Sequence, residues 1–147
     1  MPASAPPYEG LRVIELAEDP AGEILGKLMA EQGADVVKVE PPAGAPSRRI
    51  GPFHDDIADV DRSLTFWYYN TNKRSVVLDL DSSLADRDLF RGLAASADIL
   101  IEDFRPGTLG KLGLDYEVVK ERNPRLVYAA ISGFGQTGPY SARGGSI

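Results

Sequence analysis

Between residues 11 and 40 the hydrophobic period changes twice, and this constrains the fold more than any other feature of the chain. Leu11-Arg-Val-Ile-Glu-Leu16 is a short run rich in branched residues, the composition of a strand. Ile24, Leu25, Leu28 and Met29 then cluster on one helical face, and Asp35-Val-Val-Lys-Val-Glu40 returns to a strand pattern. Asp19 is placed to cap the helix, with Pro20 at its first position and Gly33 as a stop signal. Pro41-Pro42 ends the second strand, so residues 11–40 predict one β-α-β unit.

The later segments repeat the alternation. Residues 41–63 carry Pro, Gly and Asp without a sustained period, which predicts a long ordered loop of the kind that often has a functional role. Leu64-Thr-Phe-Trp-Tyr-Tyr69 is an aromatic patch, and Ser75-Val-Val-Leu-Asp-Leu80 reads as a third strand. Phe90, Leu93, Ala94 and Ala97 mark a helix, Asp98-Ile-Leu-Ile-Glu102 a fourth strand and Asp103-Phe-Arg-Pro-Gly107 the loop after it. A helix from Tyr116 to Arg122 and a strand Leu126-Val-Tyr-Ala-Ala-Ile131 follow. The expected class is therefore α/β: a parallel sheet with helices on both faces and ligands outside the carboxyl ends of the strands. Residues 1–9 read as a disordered tail and residues 10–147 as part of one domain. The loop Ser132-Gly-Phe-Gly-Gln-Thr-Gly-Pro-Tyr140 follows the last strand without another helix, so apolar surface is expected to stand open there.

Composition removes several classes of function. With 22 acidic and 16 basic residues the net charge is −6, which lacks the basic excess that binding to a nucleic-acid backbone draws on. The absence of cysteine excludes disulfides, thiolate nucleophiles and Cys-based zinc sites, and fits a cytoplasmic protein. No apolar run is long enough to span a bilayer, and no membrane partner is expected.

Single constellations stay ambiguous. Glu40 closes the β-α-β unit where an acid would meet a ribose in an NAD site, but the turn Ala17-Glu-Asp-Pro-Ala-Gly22 has one glycine where the fingerprint needs three. Its two acids would also repel a pyrophosphate, so Glu40 reads more simply as a polar strand end. His54 with Asp55, Asp56, Asp59 and Asp61 lacks the ordered spacing of a metal loop, and no metal is expected. Phe66, Trp67, Tyr68 and Tyr69 suit either base stacking or core packing, the latter for at least half of them. Arg48-Arg49 and Lys73-Arg74 suit a phosphate-rich ligand or plain solvation.

The order of the blocks is more specific than any one of them. Gly10-Leu-Arg-Val-Ile-Glu-Leu16, Gly33-Ala-Asp-Val-Val-Lys-Val-Glu-Pro-Pro42, Asn72-Lys-Arg-Ser75, Glu102-Asp-Phe-Arg-Pro-Gly107, Asn123-Pro124 and Ser132–Tyr140 together resemble the amino-terminal part of the class III (CaiB/BaiF-type) CoA-transferases. The resemblance implies a Rossmann-like large domain completed by a later segment, and an interlocked homodimer. It implies acyl-CoA and carboxylic acid substrates, and a nucleophilic aspartate beyond this chain that attacks the thioester and then carries CoA as an aspartyl thioester.

Carried over by position, the CoA contacts are Pro20 and Ala21 at the first turn, Leu78, Asp79, Leu80 and Asp81 after the third strand, and Asp103, Phe104 and Arg105 after the fourth, with Lys111 and Arg143 beyond. Pro41 stands where some relatives have an arginine, so Arg48 or Arg49 is expected to serve instead. Asp103 stands where the family often has Asn, and a carboxylate cannot donate as an amide does. Ser146 replaces the histidine of the racemase branch, which disfavours acyl-CoA racemisation. A non-catalytic CoA-binding module or truncated paralogue is the alternative of another class, with an NAD-dependent dehydrogenase behind it.

Overall fold

In a computed structural model, which describes residues 5–143, the chain forms a five-stranded sheet in the order β3-β2-β1-β4-β5, with every pairing parallel. The strands are β1 (Arg12–Glu15), β2 (Asp35–Glu40), β3 (Arg74–Val77), β4 (Ile99–Glu102) and β5 (Val127–Ala130). The helices are α1 (Pro20–Glu31), α2 (Leu64–Tyr69), α3 (Leu84–Ala95), α4 (Thr108–Leu112) and α5 (Tyr116–Arg122). β1 leads outward through β2 to β3, whereas β4 and β5 build on its other side, so the winding reverses between β1 and β4. A crevice opens at such a switch point in doubly wound sheets, because the two flanking connections leave on opposite faces.

Alternation along the strands assigns the two faces. Val13, Val36 and Ile101 point to the α1 side, where they pack with Ala30 and Ala34. Ile14, Val39 and Leu100 point the other way, into a core with Phe90, Ala94, Leu109 and Val119 from α3, α4 and α5. Phe90 and Ala94 are fully buried, as their spacing on the helix requires.

Several elements depart from the sequence reading. Residues 64–69 form α2, because Ser63 accepts the Phe66 N–H and starts a helical turn that alternation alone does not reveal. Phe66 and Tyr69 are half-buried while Trp67 and Tyr68 are exposed, so the aromatic run divides into packing and solvent sides. α4 was not anticipated, since five residues are too short to show a period. Asp19 makes no side-chain cap bond to α1, and the turn is held instead by another carboxylate described below. Residues 6–9, assigned to the tail, form a turn in which Tyr8 N–H donates to Gln32 O at 3.0 Å. Among the described residues β5 is the edge strand on that side, and Val127 is 59% exposed. No helix among the described residues is long and apolar enough to cross a membrane.

Candidate functional site

A narrow cleft of about 80 Å³ runs across the carboxyl ends of the first four strands. Its apolar walls are Leu16, Leu78, Leu80, Phe104, Leu109 and Leu112, and Glu18, Asp79 and Asp81 line it as well. It therefore unites five predicted contacts, Leu78, Asp79, Leu80, Asp81 and Phe104, from two separate strand ends. The 78–81 segment is held from α3: Arg87 donates to Leu80 O at 2.6 Å and to Asp81 O at 2.5 Å, and Asp79 N–H donates to Asp86 at 2.8 Å.

Pro20 and Ala21 open α1 beside the cleft. Arg105 and Lys111 are exposed, and among the described residues neither pairs with a carboxylate. Arg143 lies further along the chain, its guanidinium 4.8 Å from the Tyr140 ring. Ser146 lies outside the described residues.

The two arginines of the long loop do not reach the cleft. Arg48 grips Glu40 through two nitrogens, at 2.6 and 2.9 Å, and stacks 3.7 Å from the Phe66 ring centroid. Arg49 donates to the carbonyls of Ala43 and Gly44. Neither lines the cleft: Arg48 is engaged by Glu40, and Arg49 is exposed on the loop with its guanidinium on loop carbonyls. Glu40, the polar end of β2, is buried: its side chain is 2% exposed. Burial alone would raise its pKa, yet hydrogen bonds from Arg48, Ser75 and the Ala45 N–H bring it down to about 2.

Lys73, read as a surface cation, is likewise buried. Its side chain is 2% exposed and joins Lys38, Glu15 and Glu23 in a network between the sheet and α1. Lys38 lies 3.0 Å from Glu15 and 2.8 Å from Glu23, and donates to Ala17 O at 2.6 Å. Burial works to lower the Lys38 pKa, but the two carboxylates win and raise it. The network needs Gly26, since a Cβ there would stand 1.7 Å from Glu15 Oε2. Arg74, by contrast, is exposed and bidentate with Asp35 across the β2–β3 edge.

At the switch point Asp103 turns inward. Its Oδ1 accepts Glu18 N–H at 2.9 Å, and its Oδ2 accepts Asp19 N–H at 2.9 Å. Burial pushes its pKa up, opposed by these amide hydrogen bonds. Neighbouring Glu102, whose carboxylate accepts Phe104 N–H at 2.8 Å, is pushed up to about 7 by burial. Glu102 and Tyr128 also line a larger cavity of about 490 Å³ between α4, α5 and β5, which shares Leu109 with the cleft and includes Arg105.

The family model described as CoA-transferase family III matches residues 8–146. The chain is 46% identical over 144 residues to a succinate–glutarate CoA-transferase of Agrobacterium fabrum, covering 96% of this chain and 36% of that protein. It is 42% identical over 139 residues to the BbsE subunit of a succinyl-CoA:(R)-benzylsuccinate CoA-transferase of Thauera aromatica, covering 95% of this chain and 33% of that one. A crystal structure of a CaiB/BaiF family protein from Brucella suis superposes with a TM-score of 0.88 at 44% identity, over 97% of this chain and 37% of the other. The chain thus spans about a third of the length of the curated relatives it matches.

Proposed function

The chain belongs to CoA-transferase family III, and from that premise we propose that it supplies the CoA cleft of an enzyme that moves CoA from an acyl-CoA donor to a carboxylic acid acceptor. One observation carries this reading. An apolar cleft across the strand ends is lined by Phe104 and Leu112, and their chain neighbours Arg105 and Lys111 are exposed cations that no carboxylate among the described residues neutralises. CoA has complementary parts, a flat base and an alkyl-like pantetheine arm for the apolar walls and phosphates for the cations. The acids Glu18, Asp79 and Asp81, which line the cleft itself, disfavour phosphates there and leave it to the uncharged parts of the ligand.

The nucleophile is an aspartate outside these residues. Its carboxylate attacks the acyl thioester and expels CoA thiolate, giving a mixed anhydride; the thiolate returns to the aspartyl carbonyl and releases the donor acid, leaving an aspartyl-CoA thioester. The acceptor carboxylate then attacks this thioester and expels CoA thiolate, giving a second anhydride; the thiolate attacks the acceptor carbonyl, forming the new acyl-CoA and releasing the aspartate carboxylate. The whole protein works as an interlocked homodimer in the cytoplasm.

Titration calorimetry of the chain with CoA tests the cleft. Arg105→Ala together with Lys111→Ala is expected to weaken binding about 10-fold or more, since each removes a charge-assisted hydrogen bond. Unchanged affinity in the double variant, or no uptake of CoA by the wild-type chain, refutes the reading.

A further inference from the structure

Asp103 stands where the winding of the sheet reverses, and there it does something that the position alone does not require. It leaves the end of β4 and ties down the turn that leaves β1, through two hydrogen bonds at 2.9 Å and a third at 3.1 Å from Glu18 N–H to Oδ2. The two connections that flank the crevice are thereby bridged by one side chain.

The approach is close enough to dictate a neighbour. A Cβ at Gly22 would lie 2.6 Å from Asp103 Oδ2 and 2.4 Å from the Ala17 Cβ, so only glycine leaves room for the bridge. From the other side Lys38 holds the Ala17 carbonyl at 2.6 Å. The turn is thus fixed by an ammonium on its carbonyl and a carboxylate on its amides, and both holders lie outside the turn itself. With its oxygens so engaged, Asp103 has no hydrogen to offer a ligand when ionised, and it does not line the cleft.

We propose that Asp103 is a positioning residue, a carboxylate that locks the β1–α1 turn against the β4–α4 loop and so sets the shape of the cleft for CoA. The inference rests on the CoA reading for its ligand and on geometry alone for the lock. Glu18, Asp19 and Lys38 are the charged groups that face it from the turn and from β2.

The experiment pairs two readouts on the 147-residue chain: hydrogen exchange at the Glu18 and Asp19 amides, and CoA affinity by calorimetry. Asp103→Ala is expected to speed exchange at those amides at least about 10-fold and to weaken CoA by a similar factor, because both donors lose their acceptor. Asp103→Asn keeps one acceptor oxygen and is expected to hold both readouts within about threefold of wild type. Gly22→Ala, which displaces the bridge without removing it, should resemble Asp103→Ala and serves if that variant fails to fold.

Amides that stay protected in Asp103→Ala overturn the lock whether or not CoA binds. Faster exchange with unchanged CoA affinity overturns its role in shaping the cleft. An Asn variant as weak as Ala shows instead that the negative charge itself is used. If the wild-type chain takes up no CoA, the CoA reading falls and the ligand half of this proposal with it, while the exchange result still decides the lock.

Discussion

Replacing Lys38 by methionine should be among the most damaging single changes the chain can suffer, although it adds no bulk and removes only one ammonium. Glu15 and Glu23 have fully buried side chains, and Lys38 and Lys73 are 1% and 2% exposed, so the four charges balance away from water. Removing Lys38 leaves two carboxylates facing one lysine and frees the Ala17 carbonyl from its 2.6 Å contact. Breaking a buried pair from one side costs about 3–5 kcal/mol, since the surviving charge keeps its desolvation penalty and loses its partner. That is a large share of a total stability of roughly 5–15 kcal/mol, and at this size it lowers the melting temperature by on the order of 10 °C or more. Urea unfolding followed by circular dichroism measures the change. Lys38→Met with Glu23→Gln removes the excess charge, and should recover part of the loss through a coupling of about 1–3 kcal/mol. A single-variant loss below about 1 kcal/mol, or no recovery in the double variant, would refute the claim that the four groups act as one balanced unit.

Three further outcomes follow from burial or from its absence. Glu102 has a folded pKa of about 7, above its unfolded value, so the folded state holds its proton more tightly and this group's contribution to stability falls as pH rises from about 4.5 through 7. Relative to wild type, Glu102→Gln should therefore gain melting temperature across that window, and a difference that does not vary with pH contradicts the assignment. Gly26→Ala should fail to fold or lose several kcal/mol, because its Cβ would stand 1.7 Å from Glu15 Oε2. Gly92→Ala, on the exposed side of α3 with nothing within 4 Å, should stabilise by about 0.5–1 kcal/mol. Thermal melts of the two variants decide between these directions.

Local pattern carried the strands and the longer helices. The period switch at residues 11–40 is written in side-chain size and branching, and the structure returns it within a residue or two at each end. What failed were elements and roles without a local signature. α4 has too few residues for a period, and α2 hides in an aromatic run whose split into packed and exposed sides depends on α1 lying beside it. Glu40 read as a polar strand end, and Arg48 and Lys73 as cations for a phosphate or for solvent, because a single sequence shows a charge and not its partner. Arg48 is 8 residues from Glu40, and Lys73 is 58 from Glu15.

By itself, then, the sequence determined the alternation of strand and helix and the parallel sheet, since each follows from steric and hydrophobic periods spanning a few residues. Tertiary structure alone decided which charges are paired and which stay exposed. It sent Arg48 to Glu40 and Lys73 to Glu15, turned Asp103 inward onto the first turn, and left Arg105 and Lys111 in solvent. The physical reason is that an ion pair's strength depends on distance and burial, and neither exists until segments far apart in the chain have been packed together.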